Sequence, residues 1–463
     1  MDILLTHGYF LSEDAVEKRV MRPYPPLGLL YLSAYLKSKG FTVKVLDTTF
    51  RTRQEVFAQL ARERPGCVGI YGNLLTRQNV LELISVCKGV GATVILGGPE
   101  PANYAEEYLT HGADVVVMGE GELTLERLLV HLQQNGAEQL QAVEGVVFRG
   151  EDGRVVRTPP RALHPDLDAL PFPDRDAIDL RAYLEAWRTH HGSSSVSLIC
   201  ARGCPYTCTW CSHSVFGFSH RRRSPANVAE EVTQIVAQFS PDRLWYADDV
   251  FTLHHGWLFE YADELRRRNL RLPFECISRE DRLNEAVVAE LAEMGCFRLW
   301  IGSESGSQRV LDAMQRRTDA ERVRYVTRLL QQHGVEVGMF IMLGYEGETE
   351  RDLEATLEHL KAAKPNAFLT TVAYPIKGTE YYQKVADRIV RKGEWAKSTE
   401  RDLDVAGRPS RRYYAFANRW LVNEVALHRR AHNGRLAWLR RTKAFVNARV
   451  GRLGMHLLRP RHS

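Results

Sequence analysis

Short, continuous apolar runs alternate with stretches of helical period along the first third of the chain. The runs at 2–6, 41–47, 67–71, 92–98 and 114–119 read as strands. They are apolar at successive positions, as expected of strands covered on both faces. Helical patterns at 27–39 and 79–88 lie between them. Five such strands predict an open, parallel, doubly wound sheet. The stretch V-E-G-V-V-F-R-G-E-D-G-R-V-V-R then predicts a hairpin turning at Asp152-Gly153. Residues 159–173 hold Pro159, Pro160, Pro165, Pro171 and Pro173, which predicts an extended linker.

A second alternating series follows, with strands at 195–200, 243–247, 273–277, 297–302, 337–343 and 368–374. Helical patterns such as 226–239 and 349–362 separate them. Six β/α units in sequence predict a parallel barrel or a partial one, an α/β fold whose active site gathers at the C-terminal strand ends. Polar residues sit at those ends: a cysteine cluster after the first strand, Asp248 and Asp249 after the second, Glu304 after the fourth, Gly344 after the fifth. Past Pro375 the regular pattern fades, although 408–430 keeps a helical period with Phe416, Trp420, Leu421, Val425 and Leu427 as an apolar stripe. The expected divisions are 1–140 for the first sheet, 141–190 for hairpin and linker, 191–385 for the barrel and 386–463 for a helical basic tail.

Hydrophobic residues make up 44% and charged residues 26%, the composition of a folded globular chain. The start, M-D-I-L-L-T-H-G, lacks the basic flank and long apolar run of a signal peptide. No apolar run approaches the ~18 residues of a membrane span. A cytoplasmic location is therefore expected, with the eight cysteines reduced, so that clustered ones point to a metal or to catalysis. The net charge of +5 is unevenly placed, because residues 401–463 carry 15 Lys and Arg against 3 Asp and Glu. This tail reads either as a helix packed on the barrel with a solvated basic face or as a contact for a membrane surface or a nucleic acid.

The cluster itself is R-G-C-P-Y-T-C-T-W-C-S-H, with three thiols inside eight residues. A structural zinc site takes four protein ligands, commonly two separated pairs. Here Cys67, Cys87, Cys200, Cys276 and Cys296 are scattered singly and supply no second pair. Three close thiolates suit a four-iron cluster that keeps one iron open. Gly203 allows the backbone to bend, and Pro205 and Tyr206 stiffen the turn.

C-P-Y-T-C-T-W-C resembles the C-x-x-x-C-x-x-C motif of the radical S-adenosylmethionine superfamily. The resemblance implies a [4Fe–4S] cluster on Cys204, Cys208 and Cys211, with S-adenosylmethionine chelated at the fourth iron and split to a 5′-deoxyadenosyl radical. It also implies roles for other residues. The backbone of Trp210 faces adenine. Asp248, in A-D-D where Gly-Gly-Glu is common, accepts from the methionine ammonium. Arg279 pairs with the cofactor carboxylate, and Glu304 in W-I-G-S-E-S-G lies near the ribose. Gly344 in I-M-L-G-Y-E-G-E-T borders the adenine. Y-P-I-K-G-T departs from the family's P-x-P-G-T at Ile376 and Lys377, which leaves that side of the pocket unassigned. Each residue also has an ordinary reading, as paired aspartates after a strand often cap the next helix.

The first sheet carries a second resemblance. G-G-P-E at 97–100 and G-E-G-E at 119–122 resemble the cobalamin-binding domain found ahead of many such barrels. This implies that Gly97, Gly98, Pro99, Gly119 and Glu120 border cobalamin; the ordinary reading is tight strand-to-helix turns. The string D-x-H-x-x-G does not occur, so no histidine is expected beneath the cobalt, and His7 and His111 lie in other contexts. The expected activity is methylation of an unactivated carbon in a small-molecule or lipid substrate. An external electron donor of flavodoxin or ferredoxin type and no nucleic-acid partner are expected. One alternative is an oxidative cyclase or rearrangement enzyme with the same cofactors. Another is a non-enzymatic iron–sulfur electron-transfer protein. A methylthiotransferase acting on RNA would need three more cysteines in the first domain, which offers only Cys67 and Cys87.

Overall fold

The computed structural model describes residues 1–429 and 435–459. Its first sheet has seven strands in the order β2-β1-β3-β4-β5-β6-β7. The strands are β1 (Ile3–His7), β2 (Val43–Leu46), β3 (Cys67–Tyr71), β4 (Thr93–Gly97), β5 (Val115–Val117), β6 (Val146–Arg149) and β7 (Val155–Arg157). The pairs from β2 to β5 are parallel, and β6 and β7 add an antiparallel hairpin to the edge. Successive side chains of a strand point to opposite faces, and here both faces are covered. Leu4, Val68, Ile70, Val94, Leu96 and Val116 belong to one apolar core. That core also takes in α2 (Arg53–Glu63), α3 (Arg77–Gly89) and α4 (Ala105–Thr110) through Leu60, Ile84 and Tyr108. Ile3, Leu5, Ile95, Val115 and Val117 belong to the other core, with Leu36 of α1 (Leu27–Ser38) and Leu128 of α5 (Gly121–Asn135). The continuous apolar runs are thus explained by two cores. Helix starts carry their own signals: Thr52 accepts from the Glu55 amide in a capping box at α2.

The hairpin turns through a hydrogen bond from Gly153 N–H to Gly150 O, as its sequence predicts. Residues 159–173 hold no strand or α-helix, only a short 3₁₀ turn at Leu167–Ala169. The chain divides into two compact units, one of 1–205, 212–247 and 393–399, the other of 206–211, 248–392 and 400–463.

The second sheet is six-stranded, in the order β15-β14-β13-β12-β11-β8, the open parallel arrangement expected of a partial barrel. The strands are β8 (Ser195–Leu198), β11 (Arg243–Tyr246), β12 (Phe274–Ser278), β13 (Cys296–Glu304), β14 (Glu336–Leu343) and β15 (Ala367–Val372), and the longer helices of this stretch are α6 (Leu180–His191), α7 (Pro225–Phe239), α8 (His255–Arg267), α9 (Glu285–Met294), α10 (Ala320–Gln332) and α11 (Glu350–Ala363). Between the first two, β9 (Ala201–Arg202) and β10 (Arg221–Arg222) form a small antiparallel pair. Leu299, Ile301, Val337, Met339 and Ile341 are at most 1% exposed and form the buried face of β13 and β14. β13 runs further than its apolar pattern suggests, because its register with β14 shifts between Gly302 and Glu304. Such a bulge re-aims the residue that follows it.

The tail is helical. Arg411–His428 forms α12, with Trp420, Leu421 and Val425 buried, and Arg435–Leu457 forms α13. α12 lies on the barrel side, where Thr370 Oγ1 donates to Asn418 Oδ1 at 2.8 Å. α13 meets α12 along a seam of small residues. A Cβ on Gly451 would come within 2.6 Å of Trp420 N, and one on Gly454 within 2.4 Å of the Phe416 ring. Arg452 fixes the outer end of α13 by pairing with Glu350 and Glu354 at 2.9 and 2.5 Å. The parts of the basic tail at 430–434 and 460–463 lie outside the described residues. Gly451→Val is expected to destabilise the protein by roughly 1–3 kcal/mol through overpacking. A lowered unfolding midpoint in urea checks this, and an unchanged midpoint contradicts the seam.

Candidate functional site

The two halves of the cysteine loop are positioned differently. Gly203 has φ +85, and a Cβ there would meet Ser219 O at 2.3 Å, so glycine is required for β9 to pass so close to the chain before β10. Cys204 follows, half-buried. Just before it, Arg202 pairs with Glu120 at 3.0 Å and Glu122 at 2.6 Å, while Arg221 pairs with Glu120 at 2.9 Å. Burial alone would raise the Glu120 carboxyl. Hydrogen bonds from Arg221 and the His164 N–H, with the Arg202 charge, hold it below its usual range instead. The side chain of Glu120 therefore ties the start of the cysteine loop to the end of β5.

The second half of the loop is anchored by its own backbone and rings. Thr209 N–H donates to Met314 O at 3.1 Å, and Tyr381 N–H donates to Thr209 O at 2.9 Å. The Thr209 and Tyr345 hydroxyls lie 2.5 Å apart, and Trp210 Nε1 donates to Tyr374 O at 2.8 Å. These bonds hold half-buried Cys208 and exposed Cys211 in place. The Cys211 thiol hydrogen-bonds to the Cys208 sulfur and brings the Cys208 thiol down to about 5, with the Arg316 and Arg279 charges acting in the same direction. Cys211 is pushed up in turn by its neighbour. A lowered thiol in an electropositive setting is the form that ligates metal.

Arg316 is the centre of this arrangement. It donates to Cys208 Sγ at 3.5 Å and to Gly302 O at 2.7 Å, and its Nε lies 3.8 Å from Glu304. A Cβ on Gly302 would fall 2.3 Å from Arg316 Nη2, so only glycine leaves room for the guanidinium. Glu304 has φ +58, a left-handed conformation that a non-glycine residue seldom adopts, and it follows the β13 register shift. Burial raises its carboxyl, with Arg316 opposing.

Arg279 completes the cluster. Its guanidinium lies 3.8 Å over the Tyr206 ring, and it donates to Asp281 at 2.9 Å and to Arg316 O at 3.0 Å. Its Nη1 is buried and makes no hydrogen bond, and the same holds for Oε2 of neighbouring Glu280, whose carboxyl burial raises. Buried donors without partners are costly. Two guanidiniums with an unspent N–H beside a low thiol suit an anionic ligand, such as the carboxylate of an amino-acid cofactor.

Cys208, Cys211, Arg279 and Glu304 are thus brought together. Gly344 is not part of that group. A Cβ there would meet the Tyr414 ring at 2.6 Å, its N–H donates to Glu348, and its O accepts from Arg408 at 3.0 Å. Burial pushes the Glu348 carboxyl up to about 8. Asp248 is 1% exposed, and its charge adds to the burial and the Cys296 neighbour that raise Cys276. Sequence reading gave Arg316 no role. It lies over a hundred residues from the thiols in Q-R-R-T, and no local pattern marks it.

Gly97, Gly98, Pro99, Gly119 and Glu120 all line one cavity of about 450 Å³ in the first unit. It opens beyond the C-terminal ends of the parallel strands, the usual ligand position in a doubly wound sheet. Its walls are mainly apolar, with Leu29, Tyr31, Leu125 and Phe216 among them. Gly98 has φ +107, and a Cβ there would meet Gly72 O at 2.3 Å. A Cβ on Gly97 would meet nothing within 4 Å, so this backbone presents open space to a ligand. Such a glycine-floored apolar cradle suits a broad, flat ring system. His7 does not reach a metal position: its Nε2 is 2.8 Å from Asp47, which also accepts from Tyr183. His111 is exposed, with Nδ1 2.7 Å from Glu107 O.

Comparison with known proteins agrees with both halves. Residues 198–360 match the Radical SAM superfamily, and residues 17–129 match the B12 binding domain. An uncharacterized methyltransferase of Pyrococcus horikoshii is 26% identical over 400 residues, covering 84% of this chain and 85% of that protein. The anaerobic magnesium-protoporphyrin IX monomethyl ester cyclase of Rubrivivax gelatinosus is 25% identical over 402 residues, covering 84% and 71%. Among solved structures, the radical S-adenosylmethionine methyltransferase TsrM from Kitasatospora setae has the same fold. Its TM-score is 0.68 at 21% identity, over 83% of this chain and 76% of that one.

Gly97→Phe is expected to fill the cavity without disturbing the sheet. Cobalamin bound per chain after reconstitution should fall at least about tenfold, with the far-ultraviolet circular dichroism unchanged. Full cobalamin content in that variant would contradict the assignment of the cavity.

Proposed function

We propose that this radical S-adenosylmethionine enzyme, which carries a B12-binding domain ahead of its radical domain, methylates an unactivated carbon of a small-molecule or lipid substrate. When bound, the [4Fe–4S] cluster and S-adenosylmethionine supply a 5′-deoxyadenosyl radical by one-electron cleavage, and cobalamin supplies the carrier for the methyl group. Cys204, Cys208 and Cys211 hold the cluster and leave one iron position open. The observation that carries this reading is the Arg316 guanidinium 3.5 Å from Cys208 Sγ, in a loop that holds three closely spaced cysteines.

The remaining residues bind and orient. The buried Nη1 of Arg279 offers a donor to the cofactor carboxylate. Asp248 accepts from its ammonium group. Glu304, raised by burial, exchanges a hydrogen bond with a ribose hydroxyl. Trp210, tied to Tyr374 O, fixes the loop backbone that faces adenine and helps to exclude water. The cavity over Gly97 and Gly98 would take the corrin through backbone and apolar contacts. An abstracted hydrogen makes sense in this setting, because an unactivated carbon has no lone pair to attack a sulfonium directly. The electron donor is an external flavodoxin or ferredoxin type.

The similarity to a tetrapyrrole cyclase favours a second reading, oxidative cyclisation with the same cofactors. Product analysis separates the two. With its substrate, the reconstituted enzyme should form S-adenosylhomocysteine as well as 5′-deoxyadenosine. 5′-Deoxyadenosine without S-adenosylhomocysteine would remove methyl transfer in favour of cyclisation.

Two variants test the iron site. Alanine at any one of Cys204, Cys208 or Cys211 should abolish 5′-deoxyadenosine formation and strip most of the iron. Arg316→Met should keep the iron but make the cluster harder to reduce, since a positive charge beside the sulfur favours the reduced state. A redox titration followed by electron paramagnetic resonance should show a more negative midpoint; an unchanged midpoint would contradict the role of Arg316.

A further inference from the structure

α13 has two opposite faces with different chemistry. Ala444, Ala448 and Met455 are buried at 8%, 1% and 0% exposure and, with Gly451 and Gly454, form the seam on α12. Leu439, Val446, Val450, Leu453 and Leu457 recur at helical spacing and share the opposite face. They are 50%, 52%, 37%, 59% and 72% exposed. Trp438 at 65% and Phe445 at 50% widen this stripe on one side. By helix geometry Lys443 and Arg440 border it on one flank and Arg449 on the other. From Arg435 to Arg459 there are seven Lys and Arg and no Asp or Glu.

Scattered exposed apolar residues are ordinary, but a continuous stripe along about 27 Å of helix marks a contact surface. We propose that this face docks the enzyme on an anionic lipid bilayer, with the stripe in the headgroup boundary and the basic flanks on the lipid phosphates. The chemistry selects that occupant. Trp, Phe and Leu on one face with Lys and Arg beside them is the pattern of an interfacial helix. A second copy of the same face would bring its own cations against these without an acid to offset them. The helix lies along the surface rather than through it, since no described helix is long and apolar enough to cross a membrane. The seam with α12 and the ion pairs of Arg452 keep the stripe directed outward. The inference does not depend on the proposed reaction, because it concerns only the second unit's surface.

Co-sedimentation of the full-length reconstituted enzyme with lipid vesicles tests it. The enzyme should pellet with phosphatidylcholine vesicles containing phosphatidylserine, should not pellet with phosphatidylcholine alone, and should be released by high salt. Leu453→Glu with Leu457→Glu, and separately Lys443→Glu with Arg449→Glu, should each weaken binding at least about tenfold, as expected when contacts of about 1 kcal/mol per basic residue and the apolar anchor are lost. Both variants should retain 5′-deoxyadenosine formation. Failure of the unaltered enzyme to pellet with anionic vesicles, or undiminished binding by both variants, would overturn the proposal. So would light scattering that shows a dimer dissolved by Leu453→Glu, which would assign the stripe to self-association.

Discussion

The contact between the Arg316 guanidinium and the Cys208 sulfur is the constraint on which the functional site depends. It brings a permanent cation within 3.5 Å of a thiol in a half-buried loop. Such a pairing is costly unless the charge is shared, and here it is shared among the Cys208 sulfur, the Gly302 carbonyl and Glu304. Several otherwise odd local features follow from that need. Gly302 has no side chain because one would strike Arg316. β13 slips its register just there, and Glu304 adopts a left-handed backbone. Local strain of this kind persists only where the surroundings enforce it.

The same economy of charge operates in the first unit. Glu120 and Glu122 meet Arg202 and Arg221. The cation Arg202 stands two residues before Cys204, so the ion pairs connect the start of the cysteine loop with the loop after β5 that lines the glycine cavity. Glu120 lines the cavity and at the same time sets the backbone around it. Beside Glu120, Glu122 and Arg202, the cavity wall is mainly glycines and apolar side chains, whose contact with a large ring system is broad rather than directional.

Much of this was legible in the sequence. The continuous runs at 67–71 and 92–98 predicted doubly covered parallel strands because burial on two faces leaves no polar position. The thiol spacing 204-208-211 pointed to an iron site, and the structure brings two of the three sulfurs, Cys208 and Cys211, into hydrogen-bond contact. G-G-P and G-E-G-E marked the cavity floor through glycine's lack of a side chain. What the sequence did not reveal were long-range partners. Arg316 reaches Cys208 only after α/β packing brings them together, and Gly344 proved to be a packing position against Tyr414, a residue seventy positions later. The hairpin at β6 and β7 was visible, but its attachment to the edge of the first sheet was not, because register across β5 and β6 depends on tertiary contacts. The outward stripe of α13 was not legible, because which face α12 would cover depended on the small residues at 451 and 454.

On the function proposed above, the loop from Cys204 to Cys211 holds a [4Fe–4S] cluster with an iron position open to S-adenosylmethionine. Electron paramagnetic resonance of the reduced, reconstituted protein with and without S-adenosylmethionine tests it most directly. A [4Fe–4S] signal whose g-values shift when the cofactor is added is the expected result. A spectrum identical in its presence and absence would contradict it.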